Sequence, residues 1–278
     1  MIGNKKDLND LHLAVLIDAD NIPSSCIKGV MEEIAIYGTP TIKRIYGDWT
    51  SPNVSGWKGA LLEHAITPVQ QYGYTTGKNS TDSAMIIDAM DILYSGKTDG
   101  FVILSSDSDF TRLAIRLREA GQKVIGIGER KTPNAFIVAC DKFIYIEVIR
   151  GLQNQTGRFF QFGMKKNKDV SRAKSPIKSS EKSSEGDLIL HATEPKYDKA
   201  CPEQLIADSI ADIADDEGYA FLGELGNLLL KKQPDFDPRN YGFQKLTPLL
   251  NSLPRFEIDA RETKDANIKH MYVKDKEA

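Results

Sequence analysis

The sequence predicts an α/β fold, in which a doubly wound parallel sheet is followed by a second, small domain of short helices. Three observations support this prediction. Short apolar runs alternate with helix-like stretches over the first 150 residues. The alternation then stops in a Lys/Ser-rich segment, and helical spacing resumes near Cys201. Regular alternation with short links is typical of α/β layers, and a change of composition marks a domain boundary.

The apolar runs are short, continuous and rich in β-branched residues, as expected of strands buried on both faces of a parallel sheet. They are Leu13–Ile17, Ile42–Tyr46, Thr67–Gln71, Phe101–Leu104, Val124–Ile127 and Phe143–Ile146. Helices are predicted between them at residues 23–37, 55–65, 81–95, 109–120 and 133–140. We therefore expect the first domain to cover residues 11–149.

A basic linker is predicted over residues 150–199, where Lys and Ser dominate and aliphatic residues are few. The chain carries a net charge of −3, but residues 151–199 of this segment hold ten Lys and Arg against six Asp and Glu. Its positive charge suits a phosphate backbone, although solubility alone also explains it.

The overall composition limits the class of protein to which the chain can belong. A chain of 278 residues with 41% hydrophobic content accommodates two domains. No apolar run approaches the roughly 18 residues of a membrane span, and the N-terminus lacks an apolar signal segment. Three widely separated cysteines form neither a disulfide framework nor a CxxC metal pattern. These features favour a cytoplasmic protein without a membrane partner.

Acidic side chains stand at the ends of two predicted strands. Asp18 follows LAVLI directly, Asp107 and Asp109 follow FVIL, and Asp82 opens a predicted helix. Ligands of parallel sheets bind beyond the carboxyl ends of the strands, so these groups are expected to meet. Converging carboxylates repel each other unless a cation neutralises them, and oxygen ligands suit Mg²⁺ or Mn²⁺. The pattern predicts metal-assisted phosphodiester hydrolysis.

Each acid also has a structural alternative. Asp18, Asp82 or Asp109, taken alone, is a plausible helix N-cap, but three caps at one sheet edge are less plausible than one. Asp88 is expected mainly on a polar face or in a buried hydrogen bond. Asp20 is expected to point away from Asp18, because neighbouring strand residues face opposite sides.

Three motifs resemble the NYN domain, a PIN-like nuclease family related to LabA-type proteins. They are LIDADN at 16–21, STDSAMIIDAM at 80–90 and ILSSDSDF at 103–110. The resemblance implies a PIN-like doubly wound sheet and a set of metal-binding and catalytic acids, with two further groups that support them or contact phosphate. The acids are Asp18, Asp82, Asp107 and Asp109, and the supporting groups are Asn21 and Ser106. One departure is Ser105-Ser106-Asp107, where Ser-Gly-Asp is commoner.

The second domain is predicted over residues 200–275. Helical spacing occurs at Gln204–Asp215, Phe221–Lys232 and Gly242–Leu253, and a hairpin is predicted from Phe256–Asp259 and His270–Val273. Three short helices and a wing are typical of a small winged-helix module.

This region resembles the OST-HTH (LOTUS) domain in its Leu-Gly pair, its Asp-Phe turn, YGFQKL and a final Phe-Glu. The resemblance implies RNA binding, with phosphate contacts and a stacking group. These residues would be Lys231, Lys232, Arg239, Tyr241, Lys245 and Arg255. The acidic charge of the domain opposes a polyanion, so docking to a protein partner is the alternative.

The leading hypothesis is a Mg²⁺- or Mn²⁺-dependent (endo)ribonuclease whose C-terminal module holds single-stranded or structured RNA. One alternative is a catalytically weak RNA-binding or adaptor protein on the same fold. Another is a phosphatase of the haloacid dehalogenase type, since Asp18-Ala19-Asp20 forms a DxD after a strand. Asn21 opposes that alternative, because the phosphatase pattern has Thr or Val there. The sequence gives no indication of the oligomeric state.

Overall fold

A computed structural model describes residues 11–72, 80–151, 202–262 and 269–278. The predicted linker lies outside the described residues, except for Arg150 and Gly151, which are helical. No helix in these ranges is both long and apolar enough to cross a membrane.

The N-terminal domain is built on a six-stranded sheet in which every neighbouring pair is parallel. Its strands are β1 (His12–Asp18), β2 (Thr39–Gly47), β3 (Thr67–Gln70), β4 (Gly100–Leu104), β5 (Lys123–Gly128) and β6 (Lys142–Tyr145). All six predicted strands are present. The predicted last strand was displaced by one residue toward the C-terminus, because the strand begins at Lys142 and Ile146 already belongs to a helical stretch.

The strand order is β3-β2-β1-β4-β5-β6, so the chain winds outward twice from the centre of the sheet. Its direction reverses between β1 and β4, which pair side by side from Leu13 to Ile17 and from Gly100 to Leu104. This reversal is the topological switch point, where a crevice opens beyond the carboxyl ends of the two strands. The doubly wound fold is confirmed.

Helices cover both faces of the sheet and make two apolar cores, one on each side. They are α1 (Ile27–Ile34), α2 (Lys58–His64), α3 (Ser80–Tyr94), α4 (Thr111–Glu119) and α5 (Asn134–Ala139). Alternate residues of β1 serve opposite cores: Leu13, Val15 and Ile17 face one, and Ala14 and Leu16 face the other. Burial of both strand faces explains why the strands read as continuous apolar runs.

The C-terminal domain contains three helices and a three-stranded antiparallel sheet. In chain order its elements are α6 (Glu203–Ile213), β7 (Tyr219–Phe221), α7 (Leu222–Lys232), α8 (Leu246–Asn251), β8 (Phe256–Glu262) and β9 (Lys269–Asp275). The predicted helices and hairpin are present. Strand β7 is missing from the prediction, which assigned Phe221 to a helix. Three residues are too few for a periodic signal, and β7 forms only by pairing with the distant β9.

The two domains are in contact along the edge strand β6 and helix α1. The backbone N–H of Phe143 donates to the carbonyl of Pro234 over 2.8 Å. The Tyr145 hydroxyl donates to Asp235 over 2.6 Å, and the Arg239 guanidinium donates to both Glu33 oxygens, each over 2.8 Å. The second domain therefore covers an edge of the parallel sheet that would otherwise expose unpaired backbone groups.

A glycine in β5 gives a test of the packing on this sheet. A Cβ at Gly126 would lie 2.5 Å from Cδ2 of Phe143 and 2.8 Å from Sγ of Cys140, both buried. Gly126→Ala should therefore lower the free energy of unfolding by about 2 kcal/mol. Gly59→Ala is the matched control, because Gly59 lies in α2 with nothing within 4 Å of an added Cβ. It should be neutral or stabilising by up to about 1 kcal/mol. Urea denaturation measures the free energy of unfolding of both variants. Equal values for the two variants would contradict the close packing around Gly126.

Candidate functional site

Strand β1 ends at Asp18, whose side chain is only 1% exposed. Oδ2 of Asp18 accepts hydrogen bonds from the Asn21 amide over 2.6 Å and from the Ser105 hydroxyl over 2.9 Å. Oδ1 accepts from the backbone N–H of Asp20 over 3.1 Å. The predicted groups at the ends of β1 and β4 therefore meet, and the buried Asp18 carboxylate is held in one orientation by three donors.

The turn after β4 supplies two more acids. The backbone N–H of Asp107 donates to the Ser105 hydroxyl over 3.1 Å. Asp107 then caps a short 3₁₀ turn, because its Oδ1 accepts from the backbone N–H of Asp109 over 2.9 Å. Ser105 thus contacts both Asp18 and the backbone of Asp107, and it fixes their spacing across the switch point.

Asp82 lies in the first turn of α3 and completes a group of three carboxylates. One carboxylate oxygen from each of Asp82, Asp107 and Asp109 lies within 4.8 Å of the other two. Burial, followed by the charges of Asp18, Asp107 and Asp109, raises the pKa of Asp82 to about 6. The charged groups that shift the Asp82 pKa most are all carboxylates, and each of them raises it. Ionising Asp82 therefore opposes the local electrostatic field.

The donor set fits a hard divalent cation. Three carboxylate oxygens from two separate elements converge at one point, and Mg²⁺ and Mn²⁺ prefer such ligands. A cation there would relieve the repulsion that raises the Asp82 pKa. Asp18 lies beside this group but not within it, so its predicted role as a direct metal ligand stays a prediction.

Two further acids stand at this edge of the sheet. Burial raises the pKa of Asp20, and the charges of Asp18 and Asp48 raise it further. The carboxylate of Asp20 is therefore within the electrostatic reach of Asp18 and Asp48, and the expectation that its side chain points away from Asp18 stays a prediction. Asp48 follows β2 as Asp18 follows β1, so the same strand-end rule could have identified it. Hydrogen bonds from Thr50 and Gln70 lower the pKa of Asp48.

Gly128 at the end of β5 was also missed. A Cβ there would lie 2.6 Å from the Ser105 carbonyl and 2.8 Å from the Thr132 hydroxyl. Only glycine lets the turn after β4 pack this closely on β5. Ser106, which occupies the commoner glycine position of the motif, is buried, and its hydroxyl accepts from the Glu129 N–H over 2.8 Å. The departure in the motif is thus accommodated by a hydrogen bond to the neighbouring loop.

Asp88 lies two turns along α3 from Asp82 but has a different role. Its carboxylate accepts hydrogen bonds from the Arg44 guanidinium and the Tyr46 hydroxyl of β2. This contact holds α3 against β2, so Asp88 is a partly buried hydrogen-bonding group, which is close to one of the two roles expected for it.

The six residues predicted to bind RNA are in three different situations. Lys231 and Lys245 are exposed, and Lys232 pairs with Asp212 over 2.6 Å. Tyr241 is partly buried against the core of its domain. Two arginines have their guanidinium groups committed to acids, Arg255 to Asp275 within the domain and Arg239 to Asp237 and Glu33.

Arg239 therefore needs a correction in position. It was expected on an RNA-facing surface, and the structure places it between the two domains, because two buried carboxylates draw it inward. Arg255 similarly ties the start of β8 to the end of β9. Among the predicted cations, Lys231 and Lys245 have the accessible ammonium groups.

A doubly wound parallel sheet with a carboxylate cluster at its switch point, joined to a small C-terminal domain, is the architecture of a PIN-like domain with an appended module. Comparison with family models agrees. The chain contains an NYN domain at residues 12–147 and an OST-HTH/LOTUS domain at residues 196–267. These two matches support a role of the nuclease and RNA-binding kind.

Two solved structures are similar to parts of the chain. The crystal structure of a protein of unknown function from Vibrio parahaemolyticus shares 18% identity, covers 51% of this chain and 96% of its own, and has a TM-score of 0.43. The solution structure of an uncharacterized protein from Nitrosomonas europaea shares 31% identity, covers 36% of this chain and 92% of its own, and has a TM-score of 0.28. No curated protein matches the chain.

The raised pKa of Asp82 predicts a pH-dependent stability. A carboxyl group with a folded pKa of about 6 disfavours the folded state once pH rises above its ordinary value of 3.8. In metal-free buffer at pH 7.5, Asp82→Asn should therefore raise the free energy of unfolding by about 1–2 kcal/mol, with allowance for solvent screening. The gain should shrink toward pH 4. Denaturant titrations across this range measure it, and a loss of stability at pH 7.5 would indicate that Asp82 mainly supports its helix.

Proposed function

We propose that this protein is a Mg²⁺- or Mn²⁺-dependent ribonuclease that hydrolyses RNA phosphodiester bonds internally, with its C-terminal domain holding the RNA. The observation that carries the proposal is the convergence of Asp82, Asp107 and Asp109 within 4.8 Å at the switch point. The NYN domain supplies the nuclease class, and the OST-HTH/LOTUS domain supplies the RNA-binding class.

Asp82, Asp107 and Asp109 would hold the cation, and Asp18 would stand beside them as a fourth acid. A divalent cation at this place supplies charge neutralisation and Lewis acidity toward a phosphodiester. The chain itself supplies the orientation of the acids. Asn21 and Ser105 hold Asp18, and Ser105 also holds the turn that carries Asp107.

The cluster explains how an acidic domain would engage a polyanion. The carboxylates repel RNA unless their charge is cancelled, so a cation is needed for the substrate to approach. Ionisation of Asp82 is unfavourable without that cation, because burial and four neighbouring carboxylates act against it. We therefore expect substrate and cation to bind cooperatively.

RNA is favoured as the substrate because of the second domain. Lys231 and Lys245 are exposed there, and lysines with accessible ammonium groups serve as sequence-independent phosphate contacts. Lys232 would have to exchange Asp212 for a phosphate. Tyr241 contacts the core of its domain, so stacking on a base would use only the exposed part of its ring.

The phosphatase alternative is disfavoured by the environment of Asp18. That mechanism uses the first aspartate of the DxD motif as a nucleophile. Here Asp18 is 1% exposed and both of its oxygens already accept hydrogen bonds. An adaptor protein that merely retains the fold remains the second hypothesis, and a cleavage assay separates it from a nuclease.

Asp107→Asn tests the nuclease proposal. The amide retains an oxygen that can cap the 3₁₀ turn but removes the negative charge that the cation needs. We expect cleavage of end-labelled RNA in Mn²⁺ to fall at least about 100-fold, and Mn²⁺ affinity measured by calorimetry to fall at least about tenfold. A circular RNA substrate tests for internal cleavage.

Asp91→Asn is the matched control. Asp91 lies on the exposed face of the helix that carries Asp82, so this variant should cleave RNA at the wild-type rate. Full activity of Asp107→Asn, or cleavage by the wild type that is equal with and without EDTA, would contradict the proposed metal-dependent mechanism.

A further inference from the structure

The contact between the two domains is made of buried charged and hydroxyl groups. We call it the domain interface and define it by the two sets of residues that meet there. The N-terminal domain contributes Glu33, Lys142, Phe143 and Tyr145, and the C-terminal domain contributes Pro234, Asp235, Asp237 and Arg239.

Arg239 is the centre of the domain interface. Its side chain is 15% exposed and that of Glu33 is 6% exposed. The guanidinium binds Glu33 in a bidentate pair, with both distances 2.8 Å, and also binds Asp237 over 2.7 Å. Tyr37 donates a further hydrogen bond to Glu33 over 3.1 Å. One arginine thus neutralises two buried acids that belong to different domains.

A second contact lies toward the carboxyl end of β6. The Tyr145 hydroxyl donates to Asp235 over 2.6 Å, and both residues are buried. Asp235 also accepts from the Gln233 amide over 2.9 Å. The backbone bond between Phe143 and Pro234 lies on the same strand. The C-terminal domain is therefore held by ionic, hydroxyl and backbone contacts, and these together define one orientation.

A short series of contacts connects the domain interface with the carboxylate cluster. The Arg130 guanidinium lies 5.6 Å from the centroid of the Tyr145 ring. Arg130 follows Glu129, whose backbone N–H donates to the Ser106 hydroxyl, and Ser106 precedes Asp107. A short series of contacts thus connects Asp235 of the second domain with the carboxylate cluster, and it passes through a basic residue.

We propose that the C-terminal domain is a fixed arm of the nuclease, locked by Arg239, so that RNA held on it reaches the carboxylate cluster at a set distance, past Arg130. This inference rests on the proposed function, and it adds that cleavage sites are set by geometry. A domain connected only through residues 152–201 would present RNA over many distances, whereas a docked domain presents it over few.

Removing the lock should separate the domains without unfolding them. In Arg239→Gln, Glu33 and Asp237 would lose the guanidinium that pairs with both of them and would keep only the nearby Lys142 ammonium, as long as the domains stay docked. Undocking returns both carboxylates to water, so the docked population should fall on the order of a hundredfold relative to the open one. Arg239→Lys retains the charge but loses the bidentate geometry, and it should be intermediate.

Small-angle scattering of the full-length protein measures docking. Arg239→Gln should increase the radius of gyration, and Tyr145→Phe should do so to a smaller extent. Arg261→Gln is the matched control, because Arg261 also pairs with acids, Asp215, Glu217 and Asp259, but all three lie in its own domain. It should leave the radius of gyration unchanged. Circular dichroism verifies that each variant is folded.

Cleavage sites measure the consequence of docking. The probe is a 5′-labelled RNA with one hairpin and a long unpaired tail, cut in Mn²⁺ by the full-length protein. The wild type and Arg261→Gln should cut within a narrow window measured from the hairpin. Arg239→Gln should cut over a window at least about three times wider, with total cleavage of a short unpaired RNA unchanged.

The outcomes distinguish this inference from the proposed function. If the wild type does not cut RNA, the proposed function fails, while scattering still decides whether Arg239 locks the domains. If RNA is cut but Arg239→Gln keeps the wild-type radius of gyration, the lock is refuted. If the variant opens but its cutting window is unchanged, or if the wild type cuts evenly along the tail, the fixed-arm role is overturned.

Discussion

Electrostatic repulsion among carboxylates at the β1/β4 switch point is the constraint on which the other features of the site depend. Parallel strands place their carboxyl ends at one edge, and the reversal of strand order opens a crevice there. Acids that follow those strands must meet. Burial and this repulsion together raise the pKa of Asp82. The neighbouring Asp18 is instead stabilised by hydrogen-bond donors. A metal-free site of this kind is poised to take up positive charge.

Four carboxylates show how differently one chemical group is treated within the molecule. Asp18 is buried with three hydrogen-bond donors and therefore has a defined orientation. Asp88 and Glu33 are each paired with an arginine, so they fasten one element to another. Asp82 has carboxylates as its charged neighbours. A carboxylate that pairs with an arginine of the protein fastens two elements together. Carboxylates that converge without such a partner can instead bind a cation from solution.

The domain interface changes how the second domain is understood. A net acidic module is a poor RNA ligand on charge alone, and two of its arginines are engaged by acids. For RNA binding, the exposed lysines of this domain and its orientation relative to the N-terminal domain then matter more than its net charge. The edge strand β6 has two structural roles: it is the last strand of the parallel sheet, and it contacts the C-terminal domain.

The sequence by itself determined the α/β class, the six strands and the acids at their ends, because periodicity and strand-end position are local properties of the chain. It also indicated the helices and the hairpin of the second domain. Only the tertiary structure decided that Gly128 permits the turn carrying Ser105, and that Arg239 faces Glu33 across 206 positions of sequence. Strand β7 likewise exists only through its pairing with β9. The physical reason is the same in each case: a contact between distant segments has no periodic signal, and its energy arises only when folding brings the two groups out of water together.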